Sequence, residues 1–209
     1  MFRTSITWLV AAMCAVSFLG AAGSKTILFL GDSLTAGYGL DPALAFPALV
    51  QEKINEAGLP YKVVNAGVSG DTSAGGVRRI AWLLKRPVDV LFLELGANDG
   101  LRGIPLDSTE KNLQTIIDRT RNAYPGCKVV IAGMMVPPNL GPEYTARFQK
   151  IFKDLAKKND AILMPFLLEG VAGNPALNLP DGIHPTAEGH RIVAGNVWKW
   201  LAPVLEARD

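Results

Sequence analysis

One serine, one histidine and one aspartate stand out in this chain by where they fall. Ser33 lies in Gly31-Asp32-Ser33-Leu34, directly after the apolar run Ile27-Leu28-Phe29-Leu30. Such a run reads as a strand covered on both faces, as in a parallel sheet. A serine in a glycine-bearing turn at the carboxyl end of that strand sits where open α/β sheets place their ligands, which makes Ser33 the candidate nucleophile. A serine hydroxyl is weak at neutral pH and needs a base within hydrogen-bond reach. The chain has two histidines. His190 falls inside the last helical stretch, where a packing or solvent-facing role suits it. His184 lies in the loop before that stretch, three residues after Asp181. A carboxylate so placed can orient the imidazole, fix its tautomer and stabilise the imidazolium. Taken singly, Asp181 could cap the last helix and His184 could satisfy a backbone carbonyl. Convergence with Ser33 favours catalysis.

Acyl chemistry at Ser33 also needs donors for a developing oxyanion. Gly70 has no side chain to hinder an approaching carbonyl, so its N–H can serve, and the Asn98 amide offers a second donor. The Ser33 N–H is a third. Each has a structural alternative: a turn glycine with positive φ for Gly70, an Asx-turn at a strand end for Asn98. Asp32, Asp71 and Asp99 read as loop anchors that accept backbone hydrogen bonds. On its residues alone the stretch from Gly100 to Pro105 reads as a surface loop of mixed polar and apolar character. Met135, Val136 and Leu140, in the loop after the fourth strand, are candidate lining for an acyl group.

The elements that must position these groups follow from hydrophobic period. Strands are predicted over residues 25–30, 61–64, 88–95, 128–132 and 161–164. Helices are predicted from Pro47 to about Gly58, from an Asp107–Glu110 capping box through Leu113, Ile116, Ile117 and Thr120, from Tyr144 through Phe148, Ile151, Phe152 and Leu155, and from Thr186 through Val193, Val197 and Leu201. A further turn of helix is predicted near residues 166–169. Apolar runs alternating with helical stretches are the signature of a parallel sheet, and the chain reads as a single three-layer α/β domain. Ser33, Gly70 and Asn98 each follow a predicted strand, so one sheet edge would collect them. Asp181 and His184 need only fold back to that edge.

At 209 residues and a net charge of +2, the chain is long enough for one well-buried domain and carries no charge excess that would suit nucleic acid. Residues 1–23 read as a signal peptide: a basic start at Arg3, an apolar run to Leu19, then small residues. The run is shorter than a spanning helix needs, although an uncleaved anchor is the alternative. Residues 24–209 form the expected domain. Without the leader Cys127 stands alone, so no internal disulfide forms. A periplasmic or secreted location is expected.

Four blocks, Gly31-Asp32-Ser33-Leu34, Ser69-Gly70-Asp71-Thr72, Gly96-Ala97-Asn98-Asp99 and Asp181-Gly182-Ile183-His184-Pro185, together resemble the ordered blocks of the SGNH hydrolases, also called the GDSL esterase family. The resemblance covers about residues 25–204. It implies a flavodoxin-like sheet of five parallel strands, Ser33 as nucleophile, His184 as base with Asp181, and Ser33, Gly70 and Asn98 as oxyanion donors. It also implies no metal and no cofactor, and a loop from Gly100 to Pro105 that contacts the acyl chain through Leu101 and Ile104. Ala97, where relatives often carry glycine, is a mild departure. The expected activity is hydrolysis of carboxylic esters and thioesters with apolar acyl groups, lysophospholipids included, by a monomer that meets membranes only through lipid-like substrates. The alternatives are an O-acetylesterase acting on a polysaccharide and a non-catalytic lipid or glycan binder. A dinuclear phosphoesterase is disfavoured by the scarcity of histidines.

Overall fold

The computed structural model describes residues 23–207. The predicted leader therefore lies, but for Gly23, outside the described residues. The first strand, β1 (Lys25–Gly31), leads into a one-turn helix, α1 (Ser33–Ala36). Then come α2 (Phe46–Glu56), β2 (Tyr61–Gly67), α3 (Ser73–Leu83), β3 (Val90–Glu94) and a short α4 (Ala97–Leu101). The chain continues with α5 (Leu106–Ala123), β4 (Lys128–Ala132), α6 (Pro142–Lys158), β5 (Ile162–Met164) and α7 (Ala187–Glu206).

The five strands are all parallel and run in the order β2-β1-β3-β4-β5, with helices on both sides. This is the flavodoxin-like doubly wound order, whose switch point lies between β1 and β3. The central strands are buried on both faces, which is why Val90 to Leu95 reads as a continuous apolar run rather than an alternation. Phe29, Phe46 and Phe92 meet at the middle of the core, Phe29 stacked on Phe92 at 4.7 Å and edge-on to Phe46 at 5.7 Å. Helices α2 and α7 pack together, while α3, α5 and α6 form a second contiguous row.

The predicted elements recur with a few differences. Strand β2 extends to Gly67, three residues beyond the apolar run, because Asn65, Ala66 and Gly67 continue the ladder beside Phe29, Leu30 and Gly31. The Asp107–Glu110 capping box does not form: α5 begins at Leu106 behind Pro105 with no side-chain cap, and Asp107 instead pairs with Arg147 of α6. Residues 166–169 form hydrogen-bonded turns, with Val171 and Ala172 N–H donating to Leu168, and no helix. Helix α3 has no counterpart among the predicted elements. Gly75 and Gly76 in its first turn are poor helix formers, and both are there for close approach: a Cβ would collide with Asp71 at Gly75 and with Leu95 at Gly76.

Candidate active site

Strand β1 ends at Gly31, and the chain turns at once into α1, so Ser33 becomes the first residue of a helix capped by Asp32. The Asp32 Oδ1 accepts from the Leu34 N–H at 3.0 Å, and the turn closes with Gly37 and Tyr38 N–H donating to the Ser33 carbonyl. On the other side, the segment before α7 is pinched into a loop: Thr186 N–H donates to the Leu177 carbonyl and Leu179 N–H to the His184 carbonyl. The tip of that loop presents Asp181 and His184. Its Oδ1 accepts the N–H groups of Ile183 at 2.8 Å and His184 at 3.0 Å, an Asx-type turn that aims the other oxygen at the ring.

These two pieces meet. His184 Nε2 stands 2.9 Å from Ser33 Oγ, and His184 Nδ1 stands 2.7 Å from Asp181 Oδ2. With Nδ1–H donated to the carboxylate, Nε2 carries the lone pair that faces the serine hydroxyl. The Tyr38 ring packs against the imidazole at 4.5 Å and stays half exposed. Three hydrogen bonds from His184 and Ile183 hold the Asp181 carboxyl down at about 2, with the His184 N–H the largest cause. Asp181 is thus charged wherever the imidazole works.

Gly70 follows β2 with φ +77, a conformation glycine adopts without strain. Asn98 lies in the first turn of α4. Arg102 Nη2 donates to both, reaching the Gly70 carbonyl at 3.0 Å and Asn98 Oδ1 at 3.4 Å, and so holds the β2 and β3 loops together. Asn98 Nδ2 donates to Asp32 Oδ2 at 3.1 Å. Among the described residues, the Ser33 and Gly70 N–H groups donate to no protein acceptor, which leaves both open to a substrate oxygen. Asp99 and Asp71 are anchors. Buried Asp99 accepts from Ser73 N–H at 2.8 Å and from Thr109 Oγ1, while Asp71 pairs with Arg79 at 2.7 Å.

Two buried carboxyls lie behind Ser33. Burial raises Asp32 to about 6 against the opposing pull of the Leu34 and Asn98 donors, and burial together with the nearby Asp32 charge raises Glu94 well above the usual carboxylate range. Glu94, Arg102 and Tyr38 are the site neighbours that sequence reasoning missed. Of these only Glu94 carried a signal, a carboxylate inside an otherwise apolar buried strand.

The lining candidates divide. Leu101 and Leu140 are exposed, and Leu140 borders Gly103 in the loop after α4. Ile104 is half-buried, its carbonyl accepting from the Tyr144 hydroxyl at 3.1 Å. Val136 is buried in the core against Gly100. Exposed Met135 borders a groove of about 530 Å³ with Phe152, Leu163 and Pro165, which contains none of Ser33, His184 and Asp181. Among the described residues no group of three or more histidine, cysteine or acidic side chains is arranged to hold a metal ion.

A hydroxyl, an imidazole and a carboxylate in line, with open N–H groups nearby, can perform acyl transfer. The comparisons with known proteins agree. The pattern of the GDSL-like Lipase/Acylhydrolase family matches residues 29–192. The chain is 40% identical to Esterase TesA of Pseudomonas aeruginosa over 185 residues, 88% of this chain and 91% of that one. It is also 40% identical to the Escherichia coli protein named Thioesterase 1/protease 1/lysophospholipase L1, over 88% of this chain and 87% of the other. Among solved structures, the psychrotrophic esterase EstA from Pseudoalteromonas sp., inhibited by monoethylphosphonate, superposes with a TM-score of 0.82 at 32% identity, covering 88% of this chain and all of that one. The chain belongs to the GDSL-like lipase/acylhydrolase family and is a serine ester hydrolase of it.

Proposed function

We propose that Ser33, His184 and Asp181 are the nucleophile, the base and the orienting acid of an exported esterase that cleaves aryl esters, acyl esters and thioesters, lysophospholipids among them. The observation that carries this reading is the continuous relay from Ser33 Oγ to His184 Nε2 at 2.9 Å and from His184 Nδ1 to Asp181 at 2.7 Å. Ser33 Oγ attacks the ester carbonyl while its proton passes to His184 Nε2. The carbonyl oxygen takes the negative charge and is met by the N–H groups of Ser33 and Gly70 and by the second hydrogen of Asn98 Nδ2. His184 then protonates the leaving alcohol or thiol, and an acyl-serine remains. Water, deprotonated by the same nitrogen, releases the acid and restores the hydroxyl.

The substrate range rests on the names of relatives, Esterase TesA and Thioesterase 1/protease 1/lysophospholipase L1 at 40% identity and Arylesterase of Vibrio mimicus at 38%, and on the exposed apolar side chains of Leu101 and Leu140, the latter bordering Gly103. Export rests on the leader-like residues 1–23. The enzyme acts as a monomer without metal or cofactor. The test is hydrolysis of p-nitrophenyl esters from acetate to palmitate, with chelator present, by wild type and Ser33→Ala. Chelator-resistant turnover that extends beyond acetate and vanishes in Ser33→Ala is the expected result. Activity confined to acetate would move the substrate to an O-acetylated glycan, and equal inactivity of both proteins would overturn the esterase reading.

A further inference from the structure

The catalytic steps leave one buried acid without a task. Glu94 closes β3, directly opposite Gly31 of β1 in the ladder, and is fully buried. Its Oε2 accepts the Asp32 N–H at 3.1 Å and the hydroxyl of the equally buried Thr35 at 2.6 Å. Its other oxygen, Oε1, has no hydrogen-bond partner among the described residues. An apolar side chain in a strand covered on both faces would escape the cost of burying a half-satisfied carboxyl. Gly31 shows that the arrangement is built in: a Cβ there would collide with both Thr35 Oγ1 and Glu94 Oε2. The glycine ahead of the nucleophile leaves room for this hydrogen bond to cross the backbone.

The two groups that Glu94 holds bracket Ser33, one residue before it and two after. Asp32, whose N–H is fixed by Glu94, uses its own carboxyl to hold the Leu34 N–H at 3.0 Å and the Asn98 amide at 3.1 Å. A single acid thereby reaches the nucleophile turn directly and an oxyanion donor through one intermediate. We propose that Glu94 is a positioning residue for catalysis: its carboxyl clamps the chain on both sides of Ser33 and, through Asp32, sets the orientation of the Asn98 amide. The proposal rests on the serine-esterase reading. Burial favours the uncharged carboxyl, and an uncharged carboxyl offers the two donors a carbonyl oxygen that glutamine also has. Reacting groups misplaced by about 1 Å can cost roughly 10²-fold in rate, so the clamp acts on turnover rather than on substrate affinity.

The experiment compares Glu94→Leu, Glu94→Gln and Thr35→Val with wild type, measuring kcat and KM on p-nitrophenyl butyrate and the rate of stoichiometric p-nitrophenolate release from a p-nitrophenyl alkylphosphonate. In that second reaction Ser33 Oγ displaces p-nitrophenolate from phosphorus and its proton passes to His184. The expected result is a fall of about 10- to 100-fold in kcat and in phosphonylation rate for Glu94→Leu, with KM within about twofold, and a smaller fall for Thr35→Val. Glu94→Gln restores most of the turnover. A folded Glu94→Leu with wild-type phosphonylation overturns the proposal, as does a Glu94→Gln no better than Glu94→Leu. Where Glu94→Leu does not fold, Thr35→Val decides, and wild-type turnover in it counts against the clamp. Mass spectrometry of the phosphonylated wild type separates the two readings. An adduct missing from Ser33 removes the serine mechanism itself, whereas an adduct on Ser33 that forms equally fast in Glu94→Leu removes only the role given to Glu94.

Discussion

At the scale of single residues, Asn98 carries two amide hydrogens, to which the mechanism proposed above gives different work. One is given to Asp32 Oδ2 at 3.1 Å, and that bond fixes the plane in which the other points. Loss of a side-chain oxyanion donor typically costs about 10²–10³ in kcat, so Asn98→Ala is expected to fall by that order while KM moves little. Steady-state kinetics on a p-nitrophenyl ester checks the split, and a raised KM with unchanged kcat would remove the assigned role. Asp32→Asn is close to isosteric and more instructive. Asp32 accepts from Leu34 on one oxygen and from Asn98 on the other, and an amide has an oxygen for only one of them. The remaining NH₂ faces a donor, so the turn or Asn98 must move, and kcat is expected to fall at least about tenfold with the protein still folded. Taken singly, Ser33, Asp181 and His184 each had a structural alternative in the sequence; what was legible was their convergence, and the structure places the three side chains within hydrogen-bond reach of one another. Asp32 was legible as a turn anchor. Its second bond, to a residue 66 positions away, depends on the β1–β3 pairing, which no local pattern contains.

At the scale of elements, the strands were legible from apolar runs and four of the helices from their period. Helix α3 was not, since Gly75 and Gly76 weaken its local signal while tertiary contacts with Asp71 and Leu95 demand them. Topology contained the missing hint: parallel strands need a crossover of a dozen or more residues, usually helical, and the only chain between β2 and β3 is the one that forms α3. His190 is a second case. Its position in α7 suggested packing or exposure, and the structure adds a capping role. It is buried, its ring stacks on Phe46 at 6.1 Å, and its Nδ1 accepts the Phe46 N–H at 3.1 Å. Helix α2 has no side-chain cap from Ala45, so α7 supplies one across the core. His190→Phe keeps the aromatic contact and loses the acceptor, with an expected cost of about 1–2 kcal/mol. For a domain of this size that lowers Tm by about 2–8 °C, measurable by thermal denaturation at pH 7.5. An unchanged Tm would show that the bond contributes nothing.

At the scale of the whole molecule, three buried titratable groups among the described residues make stability depend on pH in the acid range, and they do not all act in the same direction. Burial holds His190 down at about 4 against a reference of 6.5. Its neutral form is the folded form, so its contribution is complete above pH 6.5 and is lost as pH falls toward 4. Asp32, raised to about 6 from 3.8, works the other way: the unfolded chain releases its proton first, and stability is lost as pH rises from 3.8 to 6. Glu94 has the same sign as Asp32 from 4.5 upward, because burial and the Asp32 charge raise it well above that value. Above about pH 4.5 both carboxyls therefore act against the one imidazole. Asp181, held at about 2, adds stability that is already complete above 3.8 and does not vary across this range. The protein is therefore expected to melt at a lower temperature at pH 6 than at pH 4.5. Glu94→Gln takes the ionisable carboxyl out of the turn that carries Ser33 and leaves Asp32 and His190 to oppose each other, so its Tm should fall less than that of wild type over the same range. Calorimetric scans of both proteins across pH 4.5–6 check this. A wild-type Tm that climbs with pH over this range would mean that Glu94 is ionised in the folded protein, and the ion so buried would then sit directly behind Ser33, the nucleophile proposed above.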